Sequence, residues 1–359
     1  MILVFNAGSS SLKAKVFNGD LKELESFKID RIGSGKVKNH TEAAQNVVEK
    51  MKTPDEIDFV GYRVVHGGGY FKAPTEINDN TLDKITKLSD LAPLHNPQAV
   101  EVIKISREMF NQAKHLAFFD TSFFTDLPYE SKIYPLPFEY YKKGIKRFGF
   151  HGISHEYSME QAASYKKTKP QKIQVVTAHL GQGSSVAAIK DKKPIDTSMG
   201  YTPLEGLPMM TRSGSIDPGI IIKMAAEGKD DKDLKNILET KSGLLGISGV
   251  SSDMRDILFV AGYQVEDPNY KPPDDIKCSE EYINRSKLAI RVFVNSVKKC
   301  IGAYFTLLDR VDLLVFTGEI GYGSTFLQKE ICKNFKVEAL AVKPNEELAI
   351  ARKISSIKI

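Results

Sequence analysis

Two loops rich in glycine and serine have the residue types that bind phosphate. One runs N-A-G-S-S-S over residues 6–11, the other runs H-L-G-Q-G-S-S over 179–185, and each follows a short apolar run. Such loops present backbone N–H groups toward one point, and small side chains let an anion approach closely. Lys13 would add a positive charge beside the first loop. Because glycine–serine hairpins without a ligand are common, each loop alone is a weak indication, but together the two would hold a polyphosphate.

Charged side chains also occur where predicted strands end, a place from which they reach a cleft. Arg63 lies in Y-R-V-V-H-G-G-G, and an arginine there would pair bidentately with a carboxylate. A surface ion pair is the alternative for Arg63. Asp120 follows the apolar run H-L-A-F-F and would direct a metal or position a substrate. Helix capping is the equal alternative for Asp120.

Two further segments contain polar residues suited to phosphoryl chemistry. In G-F-H-G-I-S-H, residues 149–155, Gly152 is expected to interrupt any helix, so His151 and His155 should not form a helical metal pair. His151 would instead donate a hydrogen bond to a phosphate. Arg212 lies in T-R-S-G-S-I-D-P-G, before a predicted helix that begins near Asp217. A loop arginine of this kind can neutralise charge on a transferring phosphoryl group.

The elements that must position these residues form one pattern that occurs twice. Each copy begins with strand, glycine–serine turn and strand, which predicts an antiparallel meander followed by helices and further strands. In chain order we predict strands at 2–5, 12–17 and 23–29, a helix at 42–52 capped by Thr41, a strand at 57–65, helices near 80–90 and 97–111, a strand ending at Phe119, strands at 172–178, 184–189 and near 193, a core helix at 280–308 and a strand at 313–316. The chain therefore reads as a duplicated α/β fold.

Composition excludes several functional classes. With 359 residues and 42% apolar content, the chain can bury two domain cores. Its 50 basic and 45 acidic residues are scattered, so the net charge of +5 gives no reason to expect a nucleic acid or membrane partner. Three cysteines without C-x-x-C spacing favour reduced thiols over disulfides or zinc. No apolar run approaches the roughly 20 residues that span a bilayer, and no signal peptide is visible, so we expect a cytoplasmic location.

Nine stretches occur in a specific order along the whole chain. They are N-A-G-S-S-S-L-K (6–13), R-V-V-H-G-G (63–68), A-P-L-H-N-P (92–97), F-D-T-S-F (119–123), F-G-F-H-G-I-S-H (148–155), D-T-S-M-G-Y-T-P-L-E-G-L (196–207), T-R-S-G (211–214), S-G-L-L-G-I-S-G-V-S-S-D-M-R-D (242–256) and P-N-E-E-L-A-I-A-R (344–352). In these stretches and their order the chain resembles the acetate kinase (acetokinase) family from end to end.

The resemblance implies a fold, a reaction and an assembly. The fold is α/β, with two duplicated ribonuclease H-like domains of the superfamily of acetate and sugar kinases, heat-shock proteins and actin. We assign residues 1–119 with 347–359 to the first domain and 120–346 to the second, which would carry a homodimer interface. The implied reaction is reversible transfer of a phosphoryl group from ATP to acetate, giving acetyl phosphate, with magnesium or in its place manganese.

The resemblance also implies roles for individual residues. The carboxylate pocket, whose apolar wall sets acid size, would be formed by Arg63, Val65, Leu94 and Pro203. Magnesium would be held by Asn6 and Glu346. The catalytic residues would be Arg63, Asp120, His151 and Arg212, with His179 beside them. The nucleotide and phosphates would be bound by Ser9, Ser11, Lys13, His179, Gly181, Gln182, Gly183, Asp253, Met254, Arg255, Glu319, Ile320, Gly321 and Gly323.

The chain departs from the family pattern on the side of the phosphoryl donor. Gln182 replaces the usual asparagine, and G-E-I-G-Y-G at 318–323 replaces A-G-I-G-E-N. Glu319 thus stands where a glycine would let adenosine approach, while Tyr322 and Gly323 replace a glutamate and an asparagine. An anion there would exclude adenosine sterically and electrostatically. ATP remains the expected donor, with pyrophosphate or another donor as an alternative. Propionate or butyrate as acceptor, or an inactive phosphate-binding scaffold, are further alternatives.

Overall fold

The computed structural model describes residues 1–93 and 95–357. Their strands are, in chain order, β1 (Ile2–Ala7), β2 (Ser11–Phe17), β3 (Glu23–Asp30), β4 (Phe59–Val64), β5 (Thr75–Glu76), β6 (Lys114–Phe119), β7 (Gln174–Leu180), β8 (Ser184–Lys190), β9 (Lys193–Thr197), β10 (Leu313–Thr317) and β11 (Ala339–Ala341). The strands predicted from the sequence are all present, with bounds shifted by a few residues.

The helices fill the segments between these strands. They are α1 (His40–Lys50), α2 (Asp79–Lys87), α3 (Asn96–Met109), α4 (Tyr129–Lys132), α5 (Phe138–Lys142), α6 (Gly152–Tyr165), α7 (Pro218–Ala226), α8 (Asp231–Thr240), α9 (Gly243–Ser248), α10 (Met254–Val260), α11 (Glu280–Phe305), α12 (Gly318–Gly323), α13 (Thr325–Cys332) and α14 (Glu346–Ser356). In the described part of the chain, none of them combines the length and the apolar character needed to cross a membrane.

The beginning of α1 differs from the prediction. Thr41 was expected to cap this helix, but the side chain of Asn39 accepts a hydrogen bond from the backbone N–H of Glu42 at 2.9 Å. Asparagine is among the strongest N-cap residues, so the helix begins two residues earlier than the apolar pattern alone predicted. The long helix α11 follows its prediction closely, since a stripe that includes Ile290, Phe293 and Val297 is buried.

The chain divides into two compact units. Unit 1 comprises residues 1–125, 150–157 and 345–359, and unit 2 comprises 126–149 and 158–344. The domain boundaries derived from the sequence, 1–119 with 347–359 and 120–346, differ from these units and stay a prediction. Residues 120–125 belong to unit 1 because the chain continues directly from β6, where the N–H of Asp120 donates to the carbonyl of Val64 at 3.0 Å.

The two units have the same sheet topology. In unit 1 the strand order is β3-β2-β1-β4-β6-β5, with β1, β4 and β6 parallel and β2 and β3 antiparallel to their neighbours. In unit 2 the order is β11-β10-β7-β8-β9, and β7, β10 and β11 are parallel while β8 and β9 are antiparallel. The strands β3, β2, β1, β4 and β6 of unit 1 therefore have the same order and directions as β9, β8, β7, β10 and β11 of unit 2. The predicted duplication is present.

Alternation of residue types explains why each meander forms. In β2 the side chains of Leu12, Ala14 and Val16 are buried and alternate with partly exposed polar ones, the pattern of a strand with one face on a core. The central strand β1 is buried along its whole length, as expected of a strand covered on both faces. A polar residue at the end of such a strand is therefore held by a rigid scaffold.

Candidate active site

Three polar side chains of unit 1 lie at one edge of its sheet. Asn6 is near the carboxyl end of β1, Arg63 near the carboxyl end of β4, and Asp120 directly after β6. These three strands are parallel neighbours, and Asn6 is paired with Arg63 in the register of β1 and β4. Carboxyl ends of parallel strands meet at one edge, which is where open α/β sheets bind ligands. The sheet thus brings together residues that are far apart in sequence.

Arg63 and Asp120 form a bidentate ion pair. Nη2 of Arg63 donates to Oδ2 of Asp120 at 2.7 Å, and Nε lies 3.1 and 3.2 Å from the two carboxylate oxygens. Nη1 donates to Oδ1 of Asn6 at 3.1 Å. A guanidinium has five N–H donors, and these contacts use three of them. Arg63 is therefore fixed in direction by Asp120 while it keeps N–H groups for an incoming anion.

Two glutamates of α14 complete this cluster. Burial alone would lower the pKa of Arg63, but the charge and hydrogen bonds of Asp120, together with Glu346 and Glu347, raise it above its ordinary value. The side-chain amide of Asn6 donates to Oε1 of Glu347 at 2.6 Å. The resemblance implied a role for Glu346 and none for Glu347. Both acids follow directly after Asn345, the N-cap of α14.

The charge of this cluster fits a divalent cation. Asp120, Glu346 and Glu347 are 0, 9 and 3% exposed, and Arg63 pairs with Asp120. Buried carboxylates are costly unless positive charge compensates them. Among the described residues no three His, Cys, Asp or Glu side chains converge as a ready metal cage. Magnesium takes one or two carboxylates together with waters and substrate phosphates, and carboxylate and amide oxygens are the groups present here.

The first glycine–serine loop lies beside this cluster in sequence and in the sheet. The N–H of Gly8 donates to the carbonyl of Ser11 at 2.8 Å, and Nε2 of the buried His40 lies 2.9 Å from the carbonyl of Gly8. Lys13 stands directly opposite Asn6 in the register of β1 and β2. Ser9 and Ser11 are partly exposed. His40, which the sequence analysis did not single out, therefore anchors the loop predicted to bind phosphate.

The turn after β4 is held by a buried asparagine. Asn96 accepts from the N–H of His66 at 3.1 Å and donates to its carbonyl at 3.0 Å. Asn96 is fully buried, and the sequence analysis quoted its motif without assigning it a role. Val65, one of the predicted pocket residues, is also buried in this turn. Leu94, predicted to line the same pocket, lies outside the described residues.

His151 lies at the start of α6. Gly152 was expected to interrupt a helix, and that expectation is wrong, because α6 begins at Gly152 and contains His155. The N–H of Gly152 donates to the backbone carbonyl of Asp120 at 3.0 Å, and a Cβ atom on Gly152 would lie 2.1 Å from that oxygen. Only glycine permits this approach. His151 is thereby held next to Asp120 along the backbone.

Arg212 is the residue of unit 2 whose surroundings point most clearly to an anion. Among the described residues its guanidinium has no carboxylate within ion-pair distance, and its side-chain contact is Nη1 to Sδ of Met209 at 3.7 Å. Burial lowers the pKa of Arg212, while the charge of Glu239 acts in the opposite direction. Arg212 is partly exposed, and among the described residues it is a cation without a carboxylate partner. Such a cation is poised to receive a negatively charged group.

The loop that carries Arg212 is rigid. Its backbone is held by the first turn of α9, where the N–H of Ser242 donates to the carbonyl of Thr211 at 2.9 Å and that of Leu244 to Met209 at 2.8 Å. Gly243 has a φ of +62°, and a Cβ there would lie 2.6 Å from the carbonyl of Arg212. These contacts fix the backbone from which the Arg212 side chain projects.

The second glycine–serine loop is a tight turn between β7 and β8. The N–H of Gly181 donates to the carbonyl of Gly183 at 3.1 Å, and His179 on β7 is 9% exposed. The side chain of Gln182 is exposed, and its carbonyl lies 3.5 Å from the N–H of Met210, on the Arg212 loop. The structure therefore brings together this loop and the loop of Arg212.

The residues predicted to flank a nucleotide base differ in their environments. Asp253 caps α10 and, together with Asp267, binds Arg255, with distances of 2.7 and 2.8 Å to its two terminal nitrogens. Hydrogen bonds to these carboxylates raise the pKa of Arg255. Met254 is buried in the core of unit 2.

The divergent segment 318–323 forms the short helix α12 directly after β10. Gly318 has a φ of +80°, and a Cβ atom there would lie 2.4 Å from the carbonyl of Leu180. Glu319 is exposed, so its carboxylate carries no burial cost, contrary to the argument made from the sequence. Ile320 and Gly321 are buried, while Tyr322 and Gly323 are exposed. Glu319 and Tyr322, which stand in place of the family's residues, therefore present an acid and an aromatic ring to solvent.

Pro203, the remaining predicted pocket residue, lies in unit 2. It is partly exposed within the segment from Ser198 to Leu207, which follows β9. The side chain of Ser198 accepts from the N–H of Val186 at 2.9 Å, so this segment is attached to β8. Unit 1 thus contains Arg63 and Val65, and unit 2 contains Pro203.

Comparison with known proteins gives the acetokinase family along almost the whole chain. The model of the acetokinase family matches residues 28–357. An acetate kinase of Thermoanaerobacter pseudethanolicus is 41% identical over 375 residues, covering 96% of this chain and 89% of that protein. The crystal structure of Porphyromonas gingivalis acetate kinase covers 99% of both chains with a TM-score of 0.85 and 30% identity. That of a propionate kinase from Francisella tularensis subsp. tularensis covers 98% of both chains with a TM-score of 0.84 and 33% identity.

These matches confirm the fold class and the enzyme class. The fold is the duplicated α/β fold of the superfamily of acetate and sugar kinases, heat-shock proteins and actin. The enzyme is a phosphotransferase that uses a carboxyl group as acceptor. The family model and the relatives that match over almost the whole chain show that the chain belongs to the acetokinase family.

Proposed function

We propose that this enzyme is an acetate kinase that transfers a phosphoryl group reversibly between ATP and acetate, with acetyl phosphate as the product. The observation that carries the proposal is Arg212, a cation on a rigidly held loop and without a carboxylate partner among the described residues. Such a cation is suited to the charge that spreads over the equatorial oxygens of a phosphoryl group in transfer. Full-length similarity to acetate kinases supports the same acceptor.

The residues that the resemblance assigns to the acid pocket would bind and orient the acid. The N–H groups of Arg63 that Asp120 and Asn6 leave unused would bind the acetate carboxylate, and Val65, Leu94 and Pro203 would cover its methyl group. Asp120 keeps the guanidinium in the required direction through its bidentate contact. His151 and His179 would donate hydrogen bonds to the transferring phosphoryl group. Arg212 would stabilise its negative charge.

Magnesium, or manganese in its place, would be held by Asn6 and Glu346, with Asp120 and Glu347 adding negative charge around it. When bound, it would neutralise phosphate charge and align the donor. The loops that contain Ser9, Ser11 and Lys13 and Gly181, Gln182 and Gly183 would bind the donor phosphates through backbone N–H groups. For the nucleoside we propose Asp253, Met254, Arg255, Ile320, Gly321 and Gly323.

Two alternatives within the same chemistry have specific support. The first is pyrophosphate as donor, because Glu319, Tyr322 and Gly323 replace the residues of the family's adenosine loop, and pyrophosphate needs no nucleoside pocket. The second is propionate as acceptor, because the similar Francisella protein is named a propionate kinase. Because Glu319 is exposed, it gives weaker support to pyrophosphate as donor than the sequence alone gave. ATP therefore remains the proposed donor.

The reverse reaction tests the donor directly. Acetyl phosphate is supplied with magnesium and either ADP or inorganic phosphate, and the formation of ATP or of pyrophosphate is measured. We expect ATP from ADP. Pyrophosphate alone would show that the altered loop marks a change of donor, and neither product would contradict the proposal.

We also propose a homodimer, supported by an exposed apolar helix in unit 2. Helix α7 has the sequence P-G-I-I-I-K-M-A-A and no buried residue, and Ile222 is 71% exposed. Apolar area of this kind on a helix marks a protein interface. The predicted cytoplasmic location stays a prediction.

The homodimer gives a testable expectation for Ile222→Asp. A charge at the centre of a buried apolar interface should shift the protein from dimer to monomer, as measured by light scattering at micromolar concentration. Leu24→Asp, at an apolar residue of β3 that is 46% exposed, is the matched control and should leave the mass unchanged. A wild-type mass equal to that of one chain would refute the dimer itself.

A further inference from the structure

A cluster of Tyr134, Arg147 and Glu205 in unit 2 has no role in the reaction so far. The hydroxyl of Tyr134 donates to Oε2 of Glu205, and Nη2 of Arg147 donates to Oε1 of the same carboxylate at 2.8 Å. The guanidinium of Arg147 also lies 5.4 Å from the centre of the Tyr134 ring. The three side chains therefore satisfy one another with two hydrogen bonds and a cation–π contact.

Two of these residues, Tyr134 and Arg147, hold the backbone of the segment 198–207, to which Glu205 itself belongs. The hydroxyl of Tyr134 accepts from the N–H of Tyr201 at 2.7 Å. Nη1 of Arg147 donates to the carbonyl of Met199 at 3.3 Å, and the N–H of Phe148 donates to the carbonyl of Gly200 at 3.0 Å. Consecutive residues of the segment are thus fixed from outside it. Pro203 lies two residues beyond Tyr201, and Glu205 two residues beyond Pro203.

The fit around Gly200 shows how closely the cluster approaches this segment. A Cβ atom on Gly200 would lie 1.5 Å from Oε2 of Glu205 and 2.1 Å from the hydroxyl of Tyr134. Both atoms are themselves held by hydrogen bonds, so neither moves away freely. Burial, followed by the hydrogen bond to Glu205, raises the pKa of Tyr134, which keeps the phenol protonated as the donor.

We propose that Tyr134, Arg147 and Glu205 are positioning residues that fix the segment 198–207 and so determine which carboxylic acids the enzyme accepts. This inference rests on the proposed function, in which Pro203 covers the apolar end of the acid. The side chain of Pro203 is short and is closed onto its own backbone, so its position depends on how firmly the backbone is held. A wall that is free to move would admit longer acids and hold acetate less well.

Tyr134→Phe tests the inference with the smallest change. It removes one hydroxyl and with it the hydrogen bonds to Glu205 and to the N–H of Tyr201. We expect the KM for acetate to rise about tenfold, the size expected for two lost hydrogen bonds, with kcat within about twofold of wild type. The preference for acetate over propionate should fall about threefold, since the wall and not the reacting groups has changed. Glu205→Gln keeps hydrogen-bonding atoms. Its KM for acetate and its preference for acetate over propionate should therefore lie between those of wild type and Glu205→Ala.

A second cluster of the same type provides the control. The hydroxyl of Tyr165 donates to Glu338 at 2.6 Å, Glu338 also pairs with Lys166, and Tyr165 is 53% exposed. Tyr165→Phe should leave KM and the acid preference unchanged. Hydrogen exchange of the Tyr201 amide should become faster in Tyr134→Phe and not in the control, which links the kinetic change to the segment.

The outcomes separate this inference from the proposed function. An unchanged acid preference in a folded Tyr134→Phe, with wild-type enzyme active on acetate, overturns the inference alone. Wild-type enzyme without activity on any short acid overturns both. A loss of kcat with an unchanged preference would assign the cluster to overall stability and would also overturn it. Thermal unfolding of each variant establishes which of them are folded. If Glu205→Ala does not fold, the kinetics of Tyr134→Phe decide whether the cluster has the positioning role.

Discussion

Arg212→Ala should lower kcat by at least about a thousandfold and leave the folded protein as stable as wild type. The first effect follows from the role of a fixed arginine in phosphoryl transfer, where its removal costs about 10³-fold or more. The second follows from the surroundings of the guanidinium, which contacts Sδ of Met209. Its removal does not break an ion pair among the described residues.

Steady-state kinetics and thermal unfolding measure the two effects. Arg310→Ala is the matched control, since Arg310 lies in the same unit, is half exposed and pairs with Asp312 at 2.9 Å. It should keep wild-type kcat. Retained activity in Arg212→Ala would refute the assigned role, and a large drop in its melting temperature would show that Arg212 supports the fold.

Arg63→Met, unlike Arg212→Ala, should have a large effect on stability as well as on acetate binding. It would leave Asp120 buried without its bidentate partner, next to Glu346 and Glu347. Removing one partner of a buried ion pair costs about 3–5 kcal/mol of unfolding free energy. Methionine preserves most of the side-chain volume, so the loss would reflect charge and not a cavity. Urea unfolding at neutral pH measures this difference.

Unit 1 contains a second arginine–aspartate pair for comparison. Arg107 donates to Asp79 at 3.0 Å, but the Asp79 side chain is 92% exposed. Exposed pairs contribute about 1 kcal/mol or less, so Arg107→Met should be almost neutral. Equal losses of unfolding free energy in Arg63→Met and Arg107→Met would contradict the view that the charge of Asp120 is compensated chiefly by Arg63. Acetate binding should be lost in Arg63→Met and kept in the control.

The sequence was sufficient to predict the fold because its patterns are local. Alternation in β2 and the apolar stripe of α11 each follow from a single period, and the glycine–serine turn occurs at the same place in both copies. The cap of α1 was missed because Asn39 and Thr41 are both good caps and only the three-dimensional structure decides between them.

The site was only partly predictable, since its most informative features are distances. The residue types of Arg63, Asp120 and Arg212 were found from their places at strand ends and in a loop. That Asp120 occupies the fork of Arg63, and that Arg212 lacks such a partner, depends on side-chain geometry that spacing does not encode. Glu347 was overlooked because a doublet of acids at a helix start reads as ordinary helix capping.

The measurement that tests the central claim most directly is acyl phosphate formation in the forward direction. Purified enzyme is given acetate, magnesium and ATP, and acetyl phosphate is trapped with hydroxylamine and measured as the hydroxamate. We predict hydroxamate that depends on acetate, ATP and magnesium and that is lost in Arg212→Ala. Wild-type enzyme that forms no hydroxamate from acetate, with ATP or with pyrophosphate, would contradict the account.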